Sequence, residues 1–166
     1  MKNDEMKNDI REKMHHENEA FLDDFSEMIF EESYRIIDIF PKRVSEEFAE
    51  EYTVAISYLK KEERLSNIYR DYAEIFLLLN CYYHMSCSFE EGIYETIQDA
   101  DDFVSRFTDL KDPGIFKALF VKEKVMIVLD RQDTYMTVYG RNDKFDKMLK
   151  DLVLNKGYFF WEKVYI

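Results

Sequence analysis

Lys124-Val125-Met126-Ile127-Val128-Leu129-Asp130-Arg131-Gln132-Asp133-Thr134-Tyr135-Met136-Thr137-Val138-Tyr139 reads as two strands joined by a short loop. Val125 to Leu129 is apolar at every position, the pattern of a strand covered on both faces, which places it centrally in a sheet. Thr134 to Tyr139 alternates, so one of its faces is expected to be wet. Arg131-Gln132-Asp133 is short enough for a hairpin loop. Upstream, Phe116 to Val121 adds a strand after the turn signal Asp112-Pro113-Gly114. Downstream, Asn142-Asp143 caps a helix with Phe145, Met148, Leu149, Leu152 and Val153 on one face. Gly157 ends that helix as a left-handed cap. Tyr158 to Ile166 returns as a last strand containing Trp161, so residues 115–166 read β-β-β-α-β.

Before residue 110 the period is helical. Residues 1–13 are polar, charged and expected to fray. From Met14 the apolar positions Phe21, Leu22, Phe25, Met28, Ile29, Ile36, Ile37 and Phe40 suggest one long helix over residues 11–39, stopped by Pro41. Its other face carries Glu17, Asp23, Asp24, Glu27 and Glu31. Ser45 is read as the N-cap of a second helix, with Glu46 and Glu47 in the first turn, where the helix dipole favours anions. Phe48, Tyr52, Ala55, Ile56 and Leu59 fit its apolar face. A third helix, residues 64–86, aligns Leu65, Ile68, Tyr69, Tyr72, Ile75, Phe76, Leu79, Tyr82 and Tyr83. Asp99 or Asp101 caps a short helix through Phe103, Val104 and Phe107. The expected fold is therefore a single α+β domain over 1–166. Mainly helical, acidic residues 14–110 precede a small, mostly antiparallel sheet with one crossover helix.

Composition limits what such a chain can do. The content is 46% hydrophobic and 16% aromatic, which excludes a disordered polymer. Charge is lopsided: residues 1–110 hold 12 Lys/Arg against 27 Asp/Glu, a net of −15, and residues 111–166 hold 11 against 8, a net of +3, summing to −12. An acidic body repels nucleic acid and anionic membranes and suits a basic protein partner. No apolar run approaches the ~18 residues of a membrane span. No signal-peptide h-region follows Met1-Lys2-Asn3-Asp4-Glu5, and Cys81 and Cys87 make no disulfide framework, so a reducing cytoplasm is the expected location.

Several clusters have the composition of a reactive site. Cys81, His84 and Cys87 could ligate zinc, with a fourth ligand from His15 or His16. On a helix, however, the two thiols point roughly 240° apart, and a thiol is commonly a small buried apolar group. Cys81 with His84 as a nucleophile pair lacks an oxyanion loop. His15-His16 with Glu17 and Glu19 lacks the zincin spacing and reads as a solvated helix face. Asp99, Asp101 and Asp102 with Glu95 could hold magnesium, but there is no phosphate loop, and Asp residues at a helix N-terminus explain the cluster. No cofactor or metal is expected. The pairs Glu31-Glu32, Glu46-Glu47 and Glu50-Glu51 are more suggestive. Glu46–Glu50 and Glu47–Glu51 set like charges four apart, which costs a few tenths of a kcal/mol each. A basic partner would relieve this repulsion, while a generally acidic surface also accounts for it.

Val125 to Asp130, the hairpin to Tyr139-Gly140, the helix from Asn142 and the ending Gly157-Tyr158-Phe159-Phe160-Trp161-Glu162 resemble small bacterial immunity proteins of polymorphic-toxin and contact-dependent inhibition systems. The resemblance spans roughly residues 115–162. It implies a single-domain cytoplasmic protein that binds a cognate toxin domain and blocks it. It carries no binding residue by position. The expected function is then non-catalytic binding of a basic toxin, with Glu46, Glu47, Glu50, Glu51 and Tyr52 as contacts. No direct nucleic-acid or membrane contact is expected, and pairing with a second copy stays open. The alternatives are a phage or mobile-element DNA mimic that inhibits a nucleic-acid-binding protein, and a metal-dependent enzyme built on Asp99–Asp102 or Cys81/His84.

Overall fold

The computed structural model describes residues 2–28, 33–111 and 113–163. Among these residues five α-helices and seven strands build a mixed α+β structure in which the strands form one antiparallel sheet, ordered β3-β2-β4-β5-β6-β1-β7. The helices are α1 (Lys2–Met28), α2 (Ala49–Leu59), α3 (Glu62–Leu79), α4 (Ala100–Thr108) and α5 (Asp143–Asn155). The strands are β1 (Tyr34–Asp38), β2 (Ser86–Glu90), β3 (Ile93–Glu95), β4 (Ile115–Phe120), β5 (Val125–Asp130), β6 (Met136–Tyr139) and β7 (Phe159–Lys163). The apolar strand β5 lies fourth of seven, at the centre. β6 and β7 each pair antiparallel with β1, so they run parallel to each other. Parallel strands cannot be joined by a hairpin, and α5 supplies the crossover.

The sheet buries its two faces differently. On one face Ile37, Cys87, Phe116, Phe120, Val125, Ile127, Met136 and Val138 meet α3, α4 and α5. α3 contributes Leu65, Ile68, Tyr69, Tyr72, Ile75, Phe76 and Leu79 at helical spacing. The Tyr69 hydroxyl donates to the Asp133 carbonyl at 2.8 Å and the Tyr72 hydroxyl to Thr134 at 2.6 Å, fixing the helix to the β5–β6 loop. Phe107 of α4 packs on Phe116 with ring centroids 4.7 Å apart, and Phe76, Phe89 and Phe103 close around them. Buried Arg131 donates to the Arg106 carbonyl at 2.7 Å and to Phe107 at 3.3 Å, satisfying the open C-terminal end of α4. On the opposite face, Phe21 of α1 packs on Leu119 and Met126.

The caps follow the sequence signals. Asp99 accepts from the Asp102 N–H at 2.7 Å and Asn142 from the Phe145 N–H at 3.0 Å. Gly157 has φ +85°, the left-handed conformation that ends α5.

The first expected helix, over 11–39, is corrected. α1 spans Lys2–Met28, and Tyr34-Arg35-Ile36-Ile37-Asp38 is a strand paired on both edges. Adjacent Ile36 and Ile37 are buried on opposite faces, which a strand permits and a one-sided helix does not. Ile29, Glu31, Glu32, Asp112 and residues 164–166 lie outside the described residues, as do the side chains of Asp24, Phe25, Glu27 and Met28. The third expected helix, 64–86, stops at Leu79, because Cys87 and Phe89 alternate with Ser86 and Ser88 along β2. Ser45 is not a side-chain cap. Its hydroxyl donates to Glu47 Oε1 at 3.1 Å, and a 3-10 turn, Glu46–Phe48, intervenes before α2.

Candidate functional site

α2 differs from α3, α4 and α5 in burying none of its residues. Yet Val54 is 72% exposed, Tyr58 46% and the preceding Phe48 52%. Together they leave an exposed apolar stretch on this helix. At about 100° per residue, Glu47, Glu50, Glu51, Val54 and Tyr58 fall on one stripe. Tyr52, Ala55, Ile56 and Leu59 fall on the other side, and Ala55, Ile56 and Leu59 are half-buried. None of Glu46, Glu47, Glu50 and Glu51 has a described Lys or Arg within ion-pair distance. The repulsion expected from their spacing is therefore not relieved inside the described residues. Arg64 lies 4.0 Å from the Tyr58 ring centroid and Lys61 5.1 Å, stiffening that anchor from one side.

The five residues expected to meet a partner thus divide. Glu47, Glu50 and Glu51 face outward with Val54 and Tyr58. Glu46 and Tyr52 line a cavity of about 550 Å³ behind them. Its floor is the part of the sheet at β6, β1 and β7, with Ile36, Asp38, Thr137, Tyr139 and Trp161. The registers Ile36↔Thr137 and Ile36↔Trp161 put these three side chains side by side on one face. The wall is residues 40–46, whose Phe40 ring meets Tyr52 at 5.6 Å. Tyr34 meets Tyr139 at 5.8 Å, with the Lys163 ammonium 5.5 Å from the Tyr34 centroid.

Two polar groups here are uncomfortable. Burial pushes the Asp38 carboxyl up to about 6, although the Phe40 and Ile39 backbone N–H groups favour its charged form; the latter donates at 2.7 Å. The Trp161 indole N–H is buried and has no hydrogen-bond partner among the described residues. Such an orphan costs about 1–3 kcal/mol. Burial, followed by the charge of Asp133, pushes the Tyr135 hydroxyl up to about 12.

The other candidates disperse into structural roles. Among the described residues no group of three His, Cys, Asp or Glu comes together to hold a metal. Cys81 is exposed just beyond α3, and Cys87 is buried in β2, where burial pushes its thiol up to about 12. Asp99 caps α4, Asp101 and Asp102 occupy its first turn, and Glu95 pairs with Arg106. His15 and His16 lie on exposed turns of α1 beside Glu19. Among the described residues no helix is long and apolar enough to cross a membrane.

The cavity itself was not anticipated. Its residues come from 34–52, 135–139 and 161–163. The only local signal was the alternation of Tyr135, Thr137 and Tyr139 along one strand face. No known protein family, curated protein or solved structure matches the chain.

Proposed function

We propose that this chain is an acidic, non-catalytic binding protein, a cytoplasmic bacterial immunity protein that neutralises a basic toxin domain by covering its active site. The observation that carries the reading is the outer stripe of α2. It sets Glu47 of the preceding 3-10 turn, with Glu50 and Glu51, none in an ion pair among the described residues, beside exposed Val54 and Tyr58 on a helix that buries none of its residues. Such a surface suits a basic partner in two ways. Carboxylates steer an oppositely charged partner and raise the association rate, while a desolvated aromatic anchor slows dissociation. The acidic balance of residues 1–110 extends the attractive field beyond the helix.

The test is capture from the native host with the wild-type chain and with Glu47→Lys/Glu51→Lys, at low and moderate salt. The wild type should hold one stoichiometric basic protein at moderate salt, and the charge-reversed variant should lose it. Co-expression with that protein should rescue growth only with the wild type. Equal capture and equal rescue by the variant would refute the reading. A spread of DNA-binding proteins released at moderate salt would point instead to charge mimicry of nucleic acid.

A further inference from the structure

We propose that the cavity between α2 and the β6-β1-β7 end of the sheet binds a small anionic ligand carrying a planar ring, of the chemical class of a mononucleotide. Three observations lead there. The first is size: about 550 Å³ lies inside the range of small-molecule sites, roughly 300–1,000 Å³. The second is the lining. Tyr34, Phe40, Tyr52, Tyr135, Tyr139 and Trp161, six aromatic residues, line one space. Flat aromatic ligands stack on such walls with little dependence on their exact identity.

The third observation is charge. Lys42, Arg43 and Lys163 line the cavity against two carboxylates, Asp38 and Glu46. In a chain of net charge −12 this is a local cationic excess. None of the three cations pairs with a described carboxylate, and Lys163 stands over the Tyr34 ring. Lys42 and Arg43 are exposed on the segment after Pro41, while Asp38 lies buried at the floor. This gives the site a polarity: phosphate at the Lys42–Arg43 mouth, ring over the aromatic floor. The Asp38 carboxyl then faces the ring's polar edge. The inference is independent of the partner proposed for the outer stripe of α2, since the two use opposite sides of that helix.

Trp161 is the only tryptophan, so its emission reports occupancy directly. The experiment titrates the whole chain with AMP and UMP, excited at the red edge of the indole band, with calorimetry on the same pairs. Adenosine, inorganic phosphate and free arginine are the controls. AMP or UMP should change the Trp161 signal saturably. Lys42→Ala/Arg43→Ala, confirmed folded by circular dichroism, should weaken binding by roughly tenfold or more, the scale of a charge-assisted phosphate contact. Adenosine should bind wild type and variant alike, at the weaker level. Absence of saturable nucleotide binding would overturn the proposal. So would nucleotide binding undiminished in the variant, or arginine binding in preference to nucleotide.

Discussion

Replacing Asp38 tests the electrostatics of the cavity floor without touching the core. The carboxyl is buried at the end of β1, and burial raises it from its ordinary 3.8 to about 6. That rise corresponds to about 3 kcal/mol between the two protonation states, at 1.36 kcal/mol per pH unit. The folded-state value lies above the unfolded one, so the folded chain holds this proton more tightly. The group's favourable contribution is complete below about pH 4 and is lost as pH rises through about 6. At neutral pH the fold therefore carries an ionised carboxylate at a cost. Asp38→Asn keeps an oxygen to accept from the Ile39 N–H and removes the charge. Its new amide N–H₂ needs an acceptor, which offsets part of the gain. The variant should be about 2 kcal/mol more stable than wild type at about pH 8 and close to equal at about pH 4. Urea unfolding followed by circular dichroism measures both, with an unchanged dependence on denaturant. A gain of the same size at both pH values, or a loss at about pH 8, would refute the argument.

Two further outcomes test the packing that holds the site in place. Arg35 is buried on β1, donating to the Gly140 carbonyl and to Asp146 Oδ1 at 2.8 Å, and so ties the strand to α5. Arg35→Ala strands the Asp146 carboxylate, which burial already pushes up despite the guanidinium. It should cost about 3–5 kcal/mol in urea unfolding, and Arg35→Met/Asp146→Leu should recover most of the loss. Phe107→Ala removes the centre of the Phe76, Phe89, Phe103 and Phe116 cluster. It should cost about 3–5 kcal/mol by the same measurement. A loss under about 1 kcal/mol would mean that the cluster is not the packed core described.

The parts of the fold legible in the sequence are those whose signals are local. Asp99, Asn142 and Gly157 announce helix ends because cap chemistry acts within three or four residues. β5 is legible because five successive apolar residues need cover on both sides. β1 is not legible locally, because Ile36, Ile37 and Phe40 continue a helical spacing that starts upstream. What makes 34–38 a strand is the presence of β6 and β7 on its two edges, more than 90 residues away. β2 was hidden by the strength of α3, whose apolar period runs on in sequence through Tyr82 and Tyr83. At the candidate sites, the acidic character of Glu46 to Glu51 was legible as charge spacing. The separation of Tyr52 from the outward stripe was not, because it depends on which side of α2 meets the sheet. The cavity is non-local throughout, since three distant segments supply its walls.

α2 carries both candidate surfaces, and its physics sets how they behave. An isolated helix shorter than roughly 12–15 residues is marginal in water. α2 has 11 residues, no buried side chain, and adjacent carboxylates Glu50 and Glu51 in its first turn behind Glu46 and Glu47 of the 3-10 turn, none in an ion pair among the described residues. Its attachments are few: Tyr52 on Phe40, Lys60 near Asp133 at 3.8 Å, and two cations over Tyr58. α3, directly after it, buries eight residues and hydrogen-bonds into the β5–β6 loop. The amides of α2 should therefore exchange through local openings far cheaper than global unfolding, while those around Tyr69, Tyr72 and Phe76 exchange near the global limit. Native-state hydrogen exchange measures this residue by residue. Equal protection in the two helices would mean that α2 is held by contacts other than those described. A gradient would place the helix at the low-stability end of the molecule, where binding elements are drawn from, and an occupant on either side would show itself first as slower exchange in α2.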